Sequence, residues 1–233
     1  MNVYVLSEVL SALSMVSLVM QSAPLQSSKP EVPEACQSGP LVDATVGPDR
    51  FPEIPADKLT EAQKKAVAEF QAGRGVPVFG PFVPLLRSPQ VMLGDKAMAD
   101  YLRFKTVLAP RLRELTILIT AREWTAQYEW YVHCPIAMEE GLNPEIAKAV
   151  AEGRRPAKMP EEEEIIYDFS VELQHNRSVS DQTYAKALAR FGEQGVVDLV
   201  ALNAFYTLQA MVLNAARTPV PKGSTRTLRP FPH

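Results

Sequence analysis

The chain has 233 residues, 46% of them hydrophobic, and a formal net charge of -3. That length buries one substantial core, and the near-balanced charge excludes the clustered Lys and Arg of a protein that tracks a nucleic-acid backbone. The two cysteines, Cys36 and Cys134, form neither a Cys-x-x-Cys pair nor a metal-ligand spacing, so a bridge between them can be drawn but is not expected.

Val9 to Met20 (VLSALSMVSLVM) is apolar or small throughout. It is shorter than the roughly 20 residues of a membrane-spanning helix, and its length fits the apolar region of an export signal. The flanks fit less well, with Glu8 in front and no Lys or Arg. Residues 1–23 are expected to be a signal leading to the periplasm or the outside. The alternative is an N-terminal arm on a cytoplasmic protein. No membrane span is expected. Residues 24–58, rich in Pro, Ser and Gln, read as an arm or linker.

Helical punctuation begins at Leu59. Thr60 and Gln63 form a capping-box pattern ahead of a helix closed by Gly73 and Gly75. Residues 76–87 are apolar but broken by prolines, which predicts neither a regular helix nor a central strand. Ser88-Pro89 opens a helix to about Lys105. Pro110 opens another, with Leu112, Leu115, Leu118 and Ile119 on one stripe. Further helices are expected from Ala126 to Glu140, from Pro144 to Gly153, from Pro160 to His175, from Asp181 to Gly192, and from Glu193 to Arg217. The run Glu161 to Glu164 suits a first helical turn, where negative charge is favoured. The end of the chain, 222–233, reads as a tail. No stretch after residue 58 alternates with period two. The fold class is therefore all-α, one domain over 59–221 with seven or eight helices.

Ionisable and aromatic residues crowd Arg111 to His133. Glu129 and His133 are four apart, which puts them on one helical face. A carboxylate beside an imidazole in an aromatic setting is a working acid/base pair, because charge and burial push their proton affinities in opposed directions. The same spacing is common on solvated faces, so spacing alone leaves both readings open. A metal site lacks a second His and any H-E-x-x-H pattern; neither metal nor cofactor is expected.

The segment RLRELTILITAREWTAQYEWYVHCPIAMEEGLN, together with FYTLQAMVLNA at Phe205 to Ala215, resembles the carboxymuconolactone decarboxylase family, which includes the alkylhydroperoxidase-D-like proteins. The resemblance implies that Glu114, Glu129 and His133 are catalytic. The peroxidase branch carries a Cys-x-x-Cys pair that falls here on Ala126 and Glu129, so the dithiol chemistry is not implied. What the resemblance does imply is decarboxylation, or double-bond or lactone isomerisation, of a small carboxylic acid or lactone. In that scheme His133 shuttles the proton, Glu129 orients it, and Glu114 is a second acid/base or an arginine partner. Arg113 or Arg122 is the candidate holder of a substrate carboxylate, with Tyr128, Trp130 and Tyr206 lining the pocket. The family also implies a homo-oligomer, a dimer, trimer or hexamer. Two alternatives stand: a non-catalytic binding or assembly module on the same fold, and a single-cysteine redox protein using Cys134.

Overall fold

The structure is a computed structural model that describes residues 34–36, 47–220 and 228. The expected signal over 1–23, most of the 24–58 arm and most of the 222–233 tail lie outside the described residues. Among those described there are eight α-helices and no strand.

Helix α1 (Glu61–Arg74) starts at the full Thr60–Gln63 capping box and stops where Gly75 turns left-handed, with φ +70°. In the 76–87 loop, Phe82–Leu85 forms a single turn, α2, where only loop was expected. Pro84 is tolerated there because first-turn amides have no intrahelical acceptor to lose. Helix α3 (Pro89–Phe104) follows Ser88, whose side chain makes no capping hydrogen bond. Then come α4 (Pro110–Glu123), α5 (Gln127–Glu139), α6 (Pro144–Ala151) and α7 (Glu161–Asn176). The long α8 (Asp181–Ala216) is broken at Gly192, whose φ of 69° and ψ of 177° are not helical. Two helices meeting near Gly192 is what the sequence predicts.

Helix α4 is the axis of the core and packs against α5, α6, α7 and α8. Its expected stripe is too narrow a description, because every residue from Glu114 to Arg122 is buried. A helix buried all round must satisfy its polar side chains internally. Thr116 and Thr120 do so by donating to the carbonyls of Leu112 and Thr116, each at 3.0 Å. The acidic run does occupy the first turn of α7. There Glu163 meets Arg111 Nε at 2.6 Å, tying α7 to α4. One helix, α8, is long and apolar enough by composition to cross a bilayer. Its Leu199, Leu202, Phe205, Ala210 and Leu213 are buried in the core.

The unexpected tie is Cys36 to Cys134, which form a disulfide across 98 residues with both side chains fully buried. This corrects the expectation that the pair stays unlinked. It also removes the free Cys134 thiol on which the single-cysteine redox reading rested, since no described cysteine is free. A short 3-10 turn, Glu34–Cys36, carries the arm to that point. The carbonyl of Cys36 accepts from Trp130 Nε1 at 3.1 Å. Leu228 is docked similarly: it is buried, and its backbone N–H and C=O both pair with the Gln127 amide at 2.6 Å.

Candidate active site

Four helices deliver one polar cluster to the interior. Helix α4 supplies Glu114, α5 supplies Glu129 and His133, and α3 and α8 close it with Arg103 and Tyr206. Glu114, Glu129, His133 and Tyr206 are each 5% exposed or less. His133 Nδ1 lies 2.7 Å from Glu114 Oε2. Its other nitrogen, Nε2, is 3.3 Å from Glu129 Oε2 and also 3.3 Å from Arg103 Nη1. Arg103 Nη1 donates to the Tyr206 hydroxyl at 3.5 Å, and Nη2 stands 3.9 Å from Glu114 Oε1. The Tyr206 ring meets the imidazole edge-on, centroids 5.1 Å apart.

Burial alone would lower the His133 proton affinity, but the two carboxylates outweigh it and lift the pKa to about 9. Near neutral pH the ring is therefore an imidazolium held between two carboxylates, a competent proton donor. Burial keeps the Tyr206 phenol protonated, its pKa raised in spite of Arg103.

The expected trio Glu114, Glu129 and His133 is thus brought together. Glu114, not Glu129, makes the short orienting contact. Glu129, one turn back along the same helix, contacts Nε2, whereas Glu114 reaches across from α4 to Nδ1. Tyr206 also joins the cluster. The remaining expected residues lie elsewhere. Arg113 is half-buried and donates to the Leu108 carbonyl at 3.3 Å. Arg122 is buried at the far end of α4, where it lines a surface depression with Glu123, Tyr167 and His175. Trp130 is fully buried on the disulfide side of α5. Tyr128 packs against the 76–87 loop, so closely that a Cβ on Gly80 would lie 3.1 Å from its ring.

Arg103 was not anticipated. It sits in the last turn of α3, where a cation suits the helix terminus and draws no notice. The signal available was indirect: two buried carboxylates around one imidazole call for a second cation, and the sequence offers several. Asp95 and Gln209 form a second unforeseen feature, two turns back along α3. Gln209 Nε2 donates to Asp95 Oδ1 at 2.6 Å. Asp95 Oδ2 and Gln209 Oε1 are both buried with no hydrogen-bond partner. Burial, opposed by Gln209 and Arg74, raises the Asp95 pKa to about 6.

Two open depressions on the described surface, one lined by Val107, Leu112, Glu162 and Arg190 and the other at Arg122, include none of the cluster. The cluster is closed in this structure. No group of three or more His, Cys, Asp or Glu among the described residues is arranged to hold a metal ion.

No family model and no curated protein matches the chain. Solved structures do match. The alkylhydroperoxidase AhpD core of an uncharacterized peroxidase-related protein from Ralstonia eutropha JMP134 superposes with a TM-score of 0.60 at 19% identity, over 78% of this chain and 100% of that one. A peroxidase-related protein from Silicibacter sp. TM1040 gives 0.59 at 13% identity, covering 78% and 97%. The debrominase Bmp8, solved with 2,3,4-tribromopyrrole, gives 0.58 at 11%, covering 76% and 94%. The chain has the AhpD-like fold.

Proposed function

We propose that the chain is an acid/base enzyme acting on a small carboxylic acid or lactone, by decarboxylation or by moving a double bond. The observation that supports this most is the imidazole of His133, clamped at Nδ1 by Glu114, facing Glu129 and Arg103 with Nε2, and met edge-on by the Tyr206 ring. In decarboxylation the substrate's C–C bond breaks to release carbon dioxide, leaving the electron pair on carbon. His133 gives its Nε2 proton to that carbon and is reprotonated from solvent. Glu114 keeps the ring oriented and charged throughout. In isomerisation Glu129 takes a proton from one carbon and His133 returns one to another.

The AhpD-like fold carries a debrominase as well as peroxidase-related proteins, so the fold admits enzymes without choosing a reaction. The residue set favours proton transfer. The test is turnover of a panel of lactones and unsaturated carboxylic acids, followed by carbon dioxide release and by loss of conjugated absorbance. His133→Gln is expected to lower kcat about 10²- to 10⁴-fold, and turnover at the wild-type rate would sink the reading.

A second reading, a non-catalytic assembly module on the same fold, is favoured by the closure of the cluster, with His133 only 3% exposed. It predicts no turnover of any member of the panel. Exposed Met98, Val197, Leu208 and Met211 on α3 and α8 support a homo-oligomer under either reading, which light scattering would register. A fully buried disulfide, together with the apolar run Val9 to Met20, supports an exported protein. Fractionation of the expressing cell tests that directly.

A further inference from the structure

We propose that Arg103 is both the gate of this cluster and its anion anchor: its guanidinium leaves His133 Nε2 to hold a substrate carboxylate and uncovers that nitrogen as it moves. The proposal rests on the proton-transfer reading and names the class of substrate, a monocarboxylate with a flat or apolar body.

Four observations converge. First, Arg103 is the one member that meets solvent. Its side chain is 26% exposed, against 4–6% for those of Glu114, Glu129 and His133. A molecule approaching the cluster meets the guanidinium first. Second, that guanidinium covers the reactive nitrogen, with Nη1 3.3 Å from Nε2. Third, its hold is loose. Its contacts to His133, Tyr206 and Glu114 measure 3.3, 3.5 and 3.9 Å. A carboxylate accepting two parallel N–H bonds from the same fork typically sits at about 2.7–2.9 Å. The exchange trades three long contacts for two short, charge-assisted ones. Fourth, the imidazolium that Glu114 and Glu129 hold near neutral pH presents a second cation to Arg103 at 3.3 Å, which favours departure of the guanidinium toward an incoming anion.

The rim beside the guanidinium supplies the apolar half of the specificity. The ring of Phe104 is centred 5.7 Å from the Arg103 guanidinium carbon, and Phe104 is 69% exposed. A substrate whose carboxylate meets Arg103 can lay its body on that ring. Glu114 and Glu129 repel anions behind the gate, so the carboxylate stops at Arg103 and the carbon next to it is the atom nearest Nε2.

The experiment uses benzoate as the probe and benzamide as its neutral counterpart. Binding to the full chain is followed by calorimetry and by the ¹⁵N resonance of the His133 ring. Benzoate is expected to bind at least about tenfold more tightly than benzamide, a difference of about 1.4 kcal/mol, and to shift the Nε2 resonance. Arg103→Gln should abolish the preference and the shift. Arg103→Lys keeps a cation without the fork, so it should bind benzoate more weakly than wild type; it also serves if the Gln variant does not fold. Equal benzoate affinity in wild type and either variant, absence of binding to wild type, or binding that leaves Nε2 unmoved would each overturn the proposal. Failure of the proton-transfer reading appears elsewhere, in the turnover of His133→Gln, so the two can be told apart.

Discussion

Two histidine–glutamate pairs hang from α4, one near each end, and they are alike in length and opposite in setting. His133 meets Glu114 and His175 meets Glu123, both at 2.7 Å. The first pair is 4% and 6% exposed, the second 55% and 31%. Separation in space therefore says little about what a pair does. Water screens the outer pair and supplies either partner with alternatives. The inner pair has no such alternatives, and the second carboxylate of Glu129 adds to the field of the first.

The sharpest way to break this contrast is to remove each imidazole in turn. His133→Gln should reduce turnover by about 10²- to 10⁴-fold, while His175→Gln should leave it unchanged; comparable losses in steady-state assays would erase the distinction. Next in size is the scaffold behind the inner pair. Opening the bridge with Cys36→Ser should lower stability by about 2–4 kcal/mol, visible as a fall in Tm. It should also move the His133 ring resonances while those of His175 stay put. The pH dependence follows from the direction of the His133 shift. Its pKa in the fold, about 9, lies above the ordinary histidine value of 6.5. Its stabilisation is thus complete below about pH 6.5 and is lost as pH rises through 9. Denaturant titrations across that window should show declining stability in the wild type and a flatter profile in His133→Gln. Asp95→Asn is a smaller effect of the opposite kind. The carboxylate is disfavoured above pH 6, and an amide can donate to Gln209 Oε1 while still accepting at the other atom. That variant should gain about 1 kcal/mol at pH 8, and a loss there would show that the ionised form is wanted. Smallest is Glu123→Gln at the exposed pair, expected to change stability by less than about 0.5 kcal/mol.

The helices were legible because their boundaries are local. Thr60 with Gln63, Pro89, Pro110, Asn143 and Gly192 each act through the nearest few residues, and each marks an end or a break where the structure has one. The Glu129–His133 pair was legible for the same reason, being one turn of one helix. Glu114 and Tyr206 were readable through resemblance to a motif, since no spacing rule joins α4, α5 and α8. Arg103 and the Asp95–Gln209 pair arrive on α3 and α8 from far along the chain, and nothing in their own neighbourhoods distinguishes them. The substrate-binding expectation for Arg113 and Arg122 took the arginines nearest in sequence to the carboxylates. In the fold, Arg113 turns away to a backbone carbonyl and Arg122 lies two and a half turns along. The disulfide was missed because a Pro-rich arm gives no sign of where it docks.

That bridge has a consequence for how the chain is made and how it fails. With only two cysteines in the sequence, a single intramolecular pairing exists, so oxidative maturation offers no scrambled isomers and no need of a shuffling catalyst. The bond closes a ring from residue 36 to residue 134 that contains α1 to α4. A protease that nicks the exposed chain within that ring leaves both fragments covalently joined, and a single cut there is invisible on a non-reducing gel.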